Sequence, residues 1–131
     1  MAYTGVAVSD PVFNTCFVDQ QLGYSAAAQS TVTQLTSKTT AVTANTSNIQ
    51  ITMNNAALAA GAIVSFTLNN SLISSRDVLI VNVAGGNATA GTYTTFVSTI
   101  TTGSAVISLY NISGGSLSEA VKLNVAIIHG A

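Results

Sequence analysis

The side chains able to do chemistry are few and widely spaced. The chain has one histidine, His129, one cysteine, Cys16, and four carboxylates, Asp10, Asp19, Asp77 and Glu119. A nucleophilic hydrolase needs a serine or cysteine activated by a base that a third group orients. Serines are plentiful, so a Ser-His-Asp site could recruit one of them, but no Gly-x-Ser-x-Gly elbow occurs. A glycosidase of the paired-carboxylate type would need the fold to bring two of the four carboxylates together, Asp77 and Glu119 being the pair to test. Metal sites want clustered histidine, cysteine and carboxylate, and the sequence has no such cluster. "AGGNATAG", residues 84–91, has the glycines of a phosphate-binding loop without its lysine or following helix. His129 continues the parity of Val121, Leu123, Val125 and Ile127, which marks it as a structural or interface residue. Arg76 beside Asp77 in "SSRDV" reads as a loop ion pair or turn residue, with a subunit-interface ion pair as the other option. The expectation is a protein without catalytic residues, cofactor or metal.

A lone cysteine excludes an intrachain disulfide and a cysteine-built metal centre, and Cys16 reads as a free, buried thiol. That suits folding in a reducing cytoplasm. The asparagines at 45, 69, 87 and 111 each open an Asn-x-Ser/Thr triplet, which chance explains in a chain so rich in these residues.

Composition narrows the partners. Charged residues make up 5% of the 131 residues, against about 25% in an ordinary soluble domain, while hydrophobic residues make up 48%. The surface is therefore built from Thr, Ser, Asn and Gln. Such a surface is polar yet nearly neutral, and little charge must be desolvated when it meets another protein. An assembly subunit is the natural inference. Lys38, Arg76 and Lys122 are the only cations, too few and too scattered for a phosphate-binding patch, which argues against nucleic acid as a direct ligand. "MAYTGVAVSD" lacks the basic start and apolar run of a signal peptide, and no apolar stretch reaches the roughly 18 residues of a membrane helix.

The elements available to position these residues are short strands. Residues 1–28 follow no clean period and read as an extended arm, apolar at Val12, Phe13, Phe17, Leu22 and Tyr24. An apolar arm must bury itself on its own domain, a sister subunit or another partner, for instance by adding a strand to an open sheet edge. Val12, Phe13 and Phe17 are the candidate partner-binding residues. Residues 29–131 form a second region of strand-length runs with Gly and Asn punctuation: "TVTQLT", "TAVTAN", "NIQITM", "AIVSFTLNN", "DVLIVNVA", "TYTTFVSTI", "SAVISLYNI" and the final "VKLNVAII". "NNAALAAG" allows one helical turn, and "SLSE" reads equally as a capping box or a polar loop. "DVLIVNVA" is apolar on both parities and is expected to be covered on both faces. The pattern predicts an all-β fold: a single antiparallel β-sandwich or jelly-roll-like domain with an extended N-terminal arm.

The order "TSKTTAVTANTSNIQITMNNAALAAGAIVSFTLNNSLISSRDVLIVNVAGG", "AGTYT" and "GSAVISLYNISGGSLSEAVKLNVAIIHG" resembles small β-rich modules in virion structural proteins of tailed bacteriophages, in capsid-associated or fibre proteins. The likeness covers about three quarters of the chain and leaves the first 30 or so residues outside it. It implies a structural role and supplies no catalytic residues. The expectation is a capsid decoration (cement) protein: a homotrimer made in the host cytoplasm, bound to the major capsid protein on the outside of the head. The alternative is a fibre or tail-spike module that binds host glycans or proteins through loop aromatics, with Tyr93 and Tyr110 as candidates. A cell-wall hydrolase is the third reading.

Overall fold

A computed structural model describes residues 12–130; the first eleven residues of the arm, Asp10 among them, lie outside the described residues. Residues 12–25 run without regular structure into a single 3-10 turn, Ala26–Ala28, and then eight strands follow. These are β1 (Gln29–Thr33), β2 (Val42–Thr43), β3 (Asn48–Thr52), β4 (Ile63–Asn69), β5 (Val78–Gly85), β6 (Tyr93–Thr101), β7 (Ser104–Asn111) and β8 (Lys122–Ile128). They form two facing sheets of four, ordered β1-β3-β8-β5 and β2-β4-β7-β6 and called sheets A and B below. The fold is an all-β sandwich.

Each strand obeys the period of two that its sequence carries. On β3, Ile49 and Ile51 turn inward between Asn48, Gln50 and Thr52; on β8, Leu123, Val125 and Ile127 turn inward between Lys122, Asn124, Ala126 and Ile128. Sheet B answers with Phe66 and Leu68 from β4 and Ala105, Ile107 and Leu109 from β7. Leu68, Ile107, Leu109, Val121, Leu123, Val125 and Ile127 have no exposed surface. β8 can be almost free of charge because it lies between β3 and β5, in the middle of sheet A.

Four of the six strand pairings are antiparallel, but β1 runs parallel to β3 and β2 parallel to β4. The first six strands alternate between the sheets, so two strands of the same sheet point the same way. Turn spacing in the sequence cannot distinguish a hairpin from a loop that crosses between sheets, because both take a few residues of the same kinds. The one tight hairpin is β6–β7, closed by Thr102 and Gly103, whose φ of 85° is left-handed backbone that favours glycine. Between the sheets, the Thr95 hydroxyl of β6 donates to the Val81 carbonyl on the free edge of β5 at 3.1 Å, which shuts that side of the sandwich.

Three expectations need correction. β5 is covered on one face only: it is an edge strand, and Val78 and Ile80 remain 57% and 53% exposed on the outer face of sheet A. "NNAALAAG" and "SLSE" make no helix; Leu58 and Leu117 from these two segments instead bridge to each other. Cys16 is free, as expected of a lone cysteine, but it is exposed, because the arm that carries it does not fold onto the domain.

Candidate functional site

The sandwich gathers its chemistry-bearing residues at two opposite ends. At one end, the turn before β5 brings the Asp77 amide to the Ser74 carbonyl at 3.1 Å, and Asp77 folds its carboxylate back over that turn. Oδ2 accepts from the Ser74 amide at 2.9 Å and Oδ1 from the Ser74 hydroxyl at 2.7 Å. The segment after β8 reaches the same carboxylate: the Gly130 amide donates to Oδ1 at 2.8 Å, and His129 Nδ1 lies 3.2 Å from Oδ2. On the other side of the imidazole, Nε2 is 2.9 Å from the Ser47 hydroxyl, just before β3. The Ser74 amide and hydroxyl first, with smaller help from Gly130 and His129, hold the Asp77 carboxyl well below the usual carboxylate range against the cost of burial. A side chain at position 130 would drive into the Arg76 backbone, so the glycine lets the chain pass there.

Ser47, His129 and Asp77 therefore stand in the hydrogen-bond order of nucleophile, base and orienting acid. With a neutral ring, Asp77 keeps the proton on Nδ1, and Nε2 accepts from the Ser47 hydroxyl. Acyl transfer also demands that the nucleophile meet a substrate. The groove beside His129, of about 550 Å³, is lined by Leu22, Gly23, Tyr24, Asn48, Ala126 and Ile128 with His129, and Ser47 is not on it. Ser47 is 8% exposed, and its carbonyl accepts from the Ile127 amide at 2.9 Å. What the arrangement does is tie the ends of β3, β5 and β8 together. Arg76 is exposed, and Asp77 pairs with His129 in place of its chain neighbour. His129 lies one residue past β8, its ring turned to the sandwich end and its side chain 41% exposed.

The other end holds Glu119. Its Oε1 accepts from the Ala88 amide at 2.7 Å, and its backbone carbonyl accepts from buried Lys38 Nζ at 2.7 Å; Lys38 also donates to the Asn54 carbonyl. Burial pulls the Lys38 ammonium down from its ordinary range, and the Glu119 charge opposes that. Burial, then Glu119, push the Tyr93 phenol up. Asp77 precedes β5 and Glu119 lies near the far end of β5, so the length of that strand, roughly 25 Å at 3.3 Å per residue, separates them. Paired carboxylates work at about 5–10 Å. Among the described residues, no three of His, Cys, Asp and Glu come together as metal ligands.

No family model, no curated protein and no solved structure matches this chain.

The remaining candidates are on the surface. Val12, Phe13 and Phe17 are all exposed, Val12 and Phe17 almost completely, and the arm between them makes no regular contact with its own domain. Its root is fixed by the Tyr24 hydroxyl, which donates to the Ile127 carbonyl, and by the Gln29 amide, which donates to the Tyr24 carbonyl at 3.0 Å. Beside that root, Val78 faces Ile128 and Ile80 faces Ala126 across the β5–β8 pair, four apolar side chains in one block. The rest of this face is polar: Gln50 donates to Asn124 at 3.0 Å, next to Gln29 and Thr31 of β1. Of the loop aromatics expected to meet a glycan, Tyr93 is buried at the start of β6 and Tyr110 is half-buried within β7.

Sequence reasoning missed Ser47 and the burial of Lys38. Ser47 sits in "NTSN", where nothing separates it from its neighbours. Lys38 carried no signal beyond being one of three cations.

Proposed function

We propose that the chain is a decoration (cement) protein of a tailed-phage head, a homotrimer that binds the major capsid protein on the outer shell and stabilises it passively. The observation that carries this reading is the arm. Its apolar residues Val12, Phe13 and Phe17 are exposed on a single chain, so their burial waits for a partner. The thirteen residues from Val12 to Tyr24 span up to about 40 Å when extended, more than the roughly 30 Å width of a domain of this size. The charge-poor composition fits dense packing on a lattice. The Ser47–His129–Asp77 line, with Ser47 and Asp77 buried, fits a structural role better than turnover, so the reading includes no enzymatic step and no cofactor. Nucleic acid and membrane are not partners in it. The fibre-module alternative has less support, because of its two contact candidates Tyr93 is inside the sandwich and Tyr110 is half-buried within β7.

A ligand that binds only the assembled shell stabilises it by mass action, and many equivalent sites multiply a small gain at each. Heads lacking the protein should release DNA at a lower temperature than complete heads, and adding the purified protein back should restore the difference. Equal release temperatures would remove the cement reading and favour the host-binding one. Decoration should change little between low salt and about 1 M, because contacts made by so few charges are hardly screened.

A further inference from the structure

We infer that the arm of one copy lies across the outer face of sheet A of a second copy, over Val78, Ile80, Ala126 and Ile128. The inference deepens the trimer reading by naming the contact that would build it, and it can fail while the capsid reading stands.

Two apolar surfaces are exposed on the same chain, and neither covers the other. The arm's own root passes this patch, with Tyr24 fixed to Ile127 and Leu22 on the rim of the groove beside Ala126 and Ile128, yet Val78 and Ile80 stay more than half exposed and Leu22 itself is 88% exposed. The chain thus leads its arm past its own patch and beyond its own domain. Another copy offers the same block. The groups that would meet, Phe13 and Phe17 on one side and the aliphatic block on the other, carry no charge, so their contact desolvates no ion, and Asp19 of the arm lies outside them. The patch is also contiguous: cross-strand partners Val78–Ile128 and Ile80–Ala126 adjoin along both strands. The outer face of sheet B is a poorer receiver. Its exposed Ile63 and Phe96 are separated by the hydrogen-bonded serines Ser65, Ser108 and Ser98, with oxygens 2.8 and 2.7 Å apart. Strand addition at the free edge of β5 is obstructed at Val81, whose carbonyl already accepts from Thr95. The arm is therefore placed on the face of the sheet, and its aromatic residues, Phe13 and Phe17, are the groups that would cover the aliphatic block.

The lone cysteine supplies the test. Cys16 is exposed between Phe13 and Phe17, and Asn82 is an exposed position on the outer face, two residues beyond Ile80. An affinity-tagged chain with native Cys16 is mixed with an untagged chain carrying C16S and N82C, and a short bismaleimide is added. The expected result is a tagged–untagged covalent dimer, which can form only between copies. The same mixture with I80D in the untagged chain should lose that product. Ile80 is more than half exposed, so the I80D chain should keep its β-sheet circular dichroism spectrum while its light-scattering mass falls from three chains to one. Failure to form the mixed product, or an I80D protein that keeps a three-chain mass, overturns the proposal. So does a native protein that is monomeric at micromolar concentration. The head-release experiment reads the cement role separately, since decoration by an I80D trimer would preserve that role and exclude this contact.

Discussion

The two ends of the described chain are held in opposite ways. After β8, His129 and Gly130 close onto a buried carboxylate that takes four donated hydrogen bonds, and Ser47, just before the neighbouring β3, completes the line. Before β1, the arm carries larger apolar side chains but is fixed by one tyrosine hydroxyl and a glutamine amide at its root. Apolar content alone therefore does not join a segment to a fold. The C-terminal segment has directional partners at fixed distances and an alternating strand leading into them. The arm has neither, and its apolar side chains stay exposed on the single chain.

Breaking the integrated end should cost the most. Leu123→Ala on β8 removes a fully buried side chain between the sheets and should destabilise the domain by about 2–5 kcal/mol, read from urea unfolding. That is a large part of the stability of a typical domain. Deleting residues 2–20 tests the opposite end. The urea midpoint should be nearly unchanged while decoration of heads is lost, and a truncated protein that decorates normally would show that the arm is not the anchor.

The polar line permits a sharper comparison through pH. The Asp77 carboxyl is held below its ordinary range in the folded state, so the unfolded chain takes up the proton first as pH falls. Its stabilisation is fully present above the unfolded value of about 3.9 and disappears as pH drops through the folded value. Asp77→Asn should therefore be less stable than the native protein at neutral pH, and the gap should narrow below about pH 4. A gap that is constant with pH would mean that the carboxylate charge contributes nothing. Ser47→Ala should have the smallest effect, about 1 kcal/mol for one hydroxyl bond, with the His129–Asp77 contact kept.

The strands were legible because their alternation is strong: "NIQITM", "AIVSFTLNN", "SAVISLYNI" and the run from Val121 each contain the strand observed. Two things were not. Sheet membership was hidden, since a loop from sheet A to sheet B uses the same Asn, Ser and Gly as a hairpin. The polar line was hidden too, because Ser47, Asp77 and His129 are 30 and 52 residues apart, and only the adjacency of β3, β8 and β5 unites them. "DVLIVNVA" was misread for a related reason. A run apolar on both parities reads as a strand covered on both faces, but an edge strand can keep its outer apolar face open, as β5 does.

The place of β8 also dictates an order of events during synthesis. β3 and β5 do not touch; each pairs with β8, which leaves the ribosome after both. Until then sheet A lacks its centre, and two strand edges stand open to foreign pairing. A chain stopped anywhere before residue 122 should fail to fold, and should go to aggregation or proteolysis instead of joining an assembly. Completion of the chain through Ile127 thus works as a checkpoint on which copies can fold.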